Sequence, residues 1–90
     1  MINNPFPPGI FLQELLEEMN ITPYRLAKDT FMPATRVGDI LKGRRAVTPD
    51  TALRLAKYFG TTAAYWLNLQ SSYALSQCHP EHIEDIQAIA

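Results

Sequence analysis

The residues richest in chemistry in this chain are its cations, and they are unevenly placed. All eight fall between Arg25 and Lys57: Arg25, Lys28, Arg36, Lys42, Arg44, Arg45, Arg54 and Lys57. Three acids, Asp29, Asp39 and Asp50, share that stretch, which carries +5, while the whole chain has a formal net charge of -1. The other six acids, Glu14, Glu17, Glu18, Glu81, Glu84 and Asp85, lie outside it with no base beside them. A basic middle between acidic ends suits a polyanion at the centre. At the flanks it suits a basic partner or plain solvation.

Other chemistries fit poorly. Cys78, His79 and His82 look like part of a metal site, but a structural zinc wants four ligands and no fourth stands at a sensible spacing. Adjacent Cys and His do not make a nucleophile and base, which need facing side chains. The segment from Gly38 to Gly43 lacks phosphate-loop spacing. The expectation is a non-enzyme with no metal and no cofactor. The single cysteine forms no internal disulfide. No apolar run approaches the roughly 20 residues of a membrane span. Met1 to Gly9 lacks the basic start of a signal peptide. A cytoplasmic protein without membrane contact is therefore expected.

The elements that must position the cations read as helices. Ninety residues, 47% apolar and 19% charged, make one domain over 1–90 with a modest core. A first helix follows Pro7-Pro8-Gly9, with Leu12, Leu15, Leu16 and Met19 on one face and Glu14, Glu17 and Glu18 opposite; Asn20 ends it. Thr22-Pro23 opens a second, burying Leu26, Ala27 and Thr30. A third starts at Pro33-Ala34 and runs to Lys42 with Val37, Ile40 and Leu41 inward, stopped by Gly43. Thr48-Pro49-Asp50 opens a fourth, which buries Ala52, Leu55, Ala56 and Phe59 and closes at Gly60.

A fifth helix starts near Thr62. It is apolar on too many sides for one contact (Ala63, Tyr65, Trp66, Leu67, Leu69, Tyr73), so residues 62–90 are expected to serve both the core and a dimer interface. Behind Pro80, Ile83, Ile86 and Ala90 suggest a sixth, short helix. The fold class is all-α, a five- to six-helix bundle.

Residues 22–43 pair two helices across a short turn inside the basic block, the pattern of a helix-turn-helix. In that geometry the second helix enters a major groove N-terminus first. Ala34, Thr35, Arg36 and Asp39 face away from the apolar stripe and are the expected base-readers. Arg36 suits guanine bidentately. Ala34 and Thr35 can approach a thymine methyl. Asp39 can accept from cytosine or orient Arg36. Thr22, Tyr24, Arg25, Lys42, Arg44, Arg45 and Thr48 are the expected phosphate contacts, through cations, polar tips and helix N-termini.

Ala27, Val37 and Ile40 stand where the Cro/C1-type helix-turn-helix, the lambda-repressor-like fold, places its small and apolar residues. Several strings resemble the HigA antitoxin family, also called virulence-associated protein I. They are Ile40-Leu41-Lys42-Gly43-Arg44-Arg45-Ala46-Val47-Thr48, Thr51-Ala52-Leu53-Arg54-Leu55-Ala56, Tyr58-Phe59-Gly60-Thr61 and Trp66-Leu67-Asn68-Leu69-Gln70. The opening Pro8-Gly9-Ile10-Phe11-Leu12 is similar to that family's N-terminal pattern, and the resemblance covers residues 7 to 76.

The resemblance implies a homodimer that binds double-stranded operator DNA and represses its own operon. It also implies a HigB-type toxin partner, a small basic ribonuclease that this chain neutralises. Glu14, Glu17 and Glu18 are the expected toxin-facing residues, although an acidic helix face is more often merely solvated.

Two positions depart from the pattern. Phe31 fills the turn site usually held by Gly, so either the turn takes another conformation or Phe31 is strained and anchored in the core. Pro23 replaces a Gln that would donate to phosphate. A stand-alone repressor, or a protein-binding module that has lost DNA binding, stays open as an alternative.

Overall fold

The computed structural model describes residues 6–89 of the chain. Five α-helices and one short 3-10 turn make up the described chain: α1 (Pro8–Met19), α2 (Pro23–Thr30), α3 (Ala34–Leu41), α4 (Pro49–Phe59), α5 (Ala63–Gln77) and the turn Ile83–Asp85. The helix starts follow the local code. Thr22, Thr48 and Thr62 cap α2, α4 and α5, their hydroxyl oxygens accepting from the backbone N–H of Arg25 (3.1 Å), Thr51 (3.4 Å) and Tyr65 (3.1 Å). Pro8, Pro23 and Pro49 occupy first-turn positions where a missing donor costs nothing.

The core is one cluster. Leu12 and Leu16 of α1, Leu26 and Ala27 of α2, Val37 and Ile40 of α3, and Ala52, Leu55 and Ala56 of α4 close around Trp66 of α5. Met32 and Val47 plug the two connections. Met19, expected inward, is 50% exposed: it is the last residue of α1, where the chain leaves the helix through Asn20 at φ 55. Leu15, Leu41 and Phe59 are only partly covered.

Two of the sequence motifs have packing roles. The backbone of α1 lies so close to α3 that a Cβ on Gly9 would overlap the Ile40 carbonyl oxygen. In the Trp66–Gln70 string, the Trp66 indole N–H donates to Thr61 Oγ1 at 2.8 Å, and Gln70 Oε1 accepts from the Val47 backbone N–H at 2.8 Å. Gln70 thereby pins the α3–α4 connection to α5.

The expected sixth helix does not form. Residues 79–89 are exposed and hold only the 3-10 turn, with His82 at φ 61; Ala90, expected on the same helix, lies outside the described residues. A segment this short does not sustain helix nucleation unless it docks, and it docks on nothing among the described residues. Ile83, Ile86 and Ile89 are therefore left in solvent at 48, 70 and 103%. The same is true of part of α5. Only Trp66 is fully buried there, while Tyr65 and Leu75 are exposed.

Candidate nucleic-acid interface

The α2–turn–α3 unit depends on how its turn closes. Phe31 takes the left-handed conformation at φ 57, so the strained alternative holds. The ring, however, is not anchored: it is 86% exposed. Met32 enters the core instead. The strain is offset by hydrogen bonds. The Met32 N–H reaches the Ala27 carbonyl at 3.0 Å, and the guanidinium of Arg54, from α4, donates through Nη1 to the Thr30 carbonyl at 2.9 Å. A cation on the last carbonyls of α2 also complements the helix dipole.

From that turn α3 projects its first residues outward. Ala34 and Thr35 are exposed, whereas Arg36 is half-buried. Arg36 Nη1 donates to Asp50 Oδ2 at 2.7 Å, and Arg54 Nε donates to the same oxygen at 3.0 Å. The two guanidinium groups hold the Asp50 carboxyl below its ordinary value of 3.8, the Arg54 hydrogen bond contributing most and the Arg36 bond next. Asp39 does not orient Arg36, as the sequence allowed. Its carboxylate faces Arg45 at 3.7 Å, because Arg45 follows the end of the helix while Arg36 leans toward α4.

Gly43, at φ 74, turns the chain out of α3 and delivers Lys42, Arg44 and Arg45 to the surface. Arg36, Arg45 and Arg54 then line one concavity of about 310 Å³ with Thr48 and Asp50. Arg44 and Arg45 border a neighbouring hollow of about 180 Å³ with Gln70 and Tyr73.

The remaining expected contacts sit as follows. Tyr24 is 72% exposed at the start of α2. Arg25 is exposed and pairs with Asp29 at 3.3 Å. Thr22 and Thr48 use their side-chain oxygens on the caps. Because Pro23 and Pro49 carry no N–H, Tyr24 and Asp50 are left with the first-turn N–H groups that lack an intrahelical acceptor. Glu14, Glu17 and Glu18 are exposed along α1, and none forms an ion pair among the described residues. His82 Nδ1 lies 3.1 Å from Asp85 Oδ2, and no cluster of three metal-ligating side chains occurs among the described residues.

Sequence reasoning missed two residues of this surface, Asp50 and Arg54. Their i,i+4 spacing was a readable signal for their pairing. The 14-residue separation of Arg36 and Asp50 gave none. It also missed the tie between α2 and α4. Tyr58 donates its hydroxyl to Asp29 Oδ2 at 2.7 Å, which lowers the Asp29 carboxyl and raises the Tyr58 phenol from their ordinary values of 3.8 and 10.0.

Fold and surface together define a helix-turn-helix protein with a cationic face built around its second motif helix. The helix-turn-helix family model matches residues 12–66, and the chain belongs to that family. Virulence-associated protein I of Dichelobacter nodosus is 37% identical over 75 residues, covering 83% of this chain and 69% of the relative. Among solved structures, the Pseudomonas aeruginosa antitoxin HigA with the higBA promoter superposes with a TM-score of 0.87 at 35% identity, over 97% of this chain and 100% of that one. An addiction module antidote protein of a HigA family from Coxiella burnetii superposes at 0.75 with 40% identity, over 86% of this chain and 98% of that one. The likeness to HigA antitoxins spans the bundle and α5, not the motif alone.

Proposed function

We propose that this chain is an antitoxin and autorepressor. It binds operator DNA as a homodimer and neutralises a small basic HigB-type ribonuclease toxin. The observation that carries the DNA reading is α3. Its N-terminal residues Ala34 and Thr35 stand open, Arg36 stands beside them, and Lys42, Arg44 and Arg45 come after them at the surface where flanking phosphates would run. A HigA solved with promoter DNA, at a TM-score of 0.87, supports the same assignment. No described helix is long and apolar enough to cross a membrane.

Two substitutions separate reading from grip. Arg36→Ala should cost about 1–3 kcal/mol and relax preference at one base position. Arg44→Ala should weaken all duplexes evenly and shallow the salt dependence by about one counterion. Quantitative titration of duplexes from the region upstream of the gene, at two salt concentrations, measures both. An Arg36→Ala variant with wild-type affinity and preference would remove α3 as the reader.

The toxin partner is supported by the family likeness and by the exposed Glu14, Glu17 and Glu18 on α1, which carry charge complementary to a basic protein. Co-expression with the product of the adjacent reading frame should yield a stable complex. Glu14→Lys with Glu17→Lys should then weaken the complex while leaving DNA affinity unchanged or raised. Failure to co-purify with any neighbouring basic protein would leave a stand-alone repressor.

A further inference from the structure

We propose that Asp50, on α4, is a positioning residue that sets the base preference of Arg36; the inference rests on the reading of α3 as the groove-facing helix. The Asp50 carboxylate lies across a helix junction from Arg36 and takes one of its guanidinium nitrogens, Nη1, at 2.7 Å. The Nε and Nη2 donors of Arg36 have no hydrogen-bond partner among the described residues. That edge of the fork is the pair of donors a guanine O6 and N7 would take. Asp50 therefore holds the guanidinium through one nitrogen and leaves that edge unpaired.

Asp50 is itself fixed. Arg54 Nε meets the same carboxylate oxygen at 3.0 Å, and Arg54 Nη1 reaches the Thr30 carbonyl at the helix-turn-helix turn. The chain of contacts runs from the reading side chain through α4 to the turn that aims α3. A fork restrained by its neighbours loses less freedom on binding and tolerates fewer wrong bases. The pair has little to offer stability, because Asp50 is 55% exposed and ion pairs at such sites contribute little. The carboxylate also opposes phosphates nearby. Removing it should therefore strengthen general affinity for DNA while degrading discrimination, a pairing of effects that a purely structural residue does not produce.

The test uses the full chain and a duplex library randomised over about two helical turns. Selection on the wild type defines its preference, and selection on Arg36→Ala shows which position Arg36 reads. Asp50→Asn, of nearly the same shape, should then lose about tenfold in discrimination at that position alone. It should keep the preference elsewhere, match or exceed wild-type affinity for non-specific duplex, and keep wild-type helicity by circular dichroism. In the Arg36→Ala background the same substitution should have no effect on preference.

Wild-type discrimination in Asp50→Asn, with Arg36→Ala defective, would overturn the role of Asp50 and leave the reading of α3 intact. An even loss at all positions together with a lower melting temperature would overturn it in favour of a structural role. Unchanged preference in Arg36→Ala, or no preference in the wild type, would overturn both.

Discussion

Gly9 and Gln70 show how single residues position the cationic face without touching anything outside the chain. Gly9 lets the first turn of α1 rest on the backbone of α3 at Ile40, in the half of the helix that leads to Gly43 and the exposed Lys42, Arg44 and Arg45. A methyl group there has backbone, not a flexible side-chain tip, to displace. Gly9→Ala should cost about 1–3 kcal/mol through overpacking, measurable as a lowered chemical-denaturation midpoint with an unchanged slope. Gln70 works from the other side. It gives the partly buried Val47 N–H its acceptor, and Gln70→Ala should cost about 1–3 kcal/mol because that donor is then left without one. A drop in DNA affinity larger than the drop in stability would show that the pinned loop also orients Arg44 and Arg45.

The helices themselves were legible because their signals are local. Thr-Pro starts, a Gly43 stop and three- and four-residue apolar spacing each act within one turn of chain, so α1 to α5 appear where those signals put them. The tail failed for the complementary reason: Ile83 and Ile86 have helical spacing, but spacing alone does not stabilise a helix with nothing to pack on. At the site, exposure of Ala34 and Thr35 was readable from periodicity, whereas the partners of Arg36 and Asp39 depend on how α3 and α4 cross and were not. The turn was half legible. Phe31 announced a strained position, but its ring points to solvent. Because almost nothing packs on that ring, Phe31→Gly removes the left-handed strain at little cost in contacts, and should stabilise the protein by about 1 kcal/mol in a thermal melt.

The links from α4 to α2 and α3 titrate at both ends of the pH scale. Asp29 and Asp50 have depressed carboxyl values in the fold. Their contribution is therefore complete above the ordinary value of 3.8 and fades as pH falls through the lowered folded values. Tyr58 is raised, so its contribution is complete below 10.0 and fades as pH rises through its elevated value. Tyr58→Phe should abolish the alkaline part of this dependence, read from melting temperature against pH, while the exposed Asp50 pair adds little at acid pH.

At the scale of the whole molecule, two properties stand out: charge is segregated, and apolar surface is left over. The described chain extends 50 × 22 × 21 Å. Tyr65 is exposed beside the core Trp66, and Leu75, Ile83, Ile86 and Ile89 are exposed further along the chain, with Glu81, Glu84 and Asp85 near them and no lysine or arginine. A chain of 90 residues with a modest core gains from covering such surface with a second copy. The dimer proposed above requires a two-fold pairing that turns both α3 helices toward one duplex. For two groove-entering helices to bind together, their separation must match one helical turn of DNA, about 34 Å. In such a dimer, subunit association and operator recognition would be one linked equilibrium: a substitution that weakens an α5 contact would lower operator affinity without touching a DNA-facing residue. Leu75→Glu, which places a charge on the exposed apolar strip, should shift sedimentation equilibrium toward monomer. It should also make operator binding depend more steeply on protein concentration, while binding to a single half-site duplex stays at the wild-type level. A variant that remains dimeric and binds the full operator normally would place the subunit contact elsewhere on the chain.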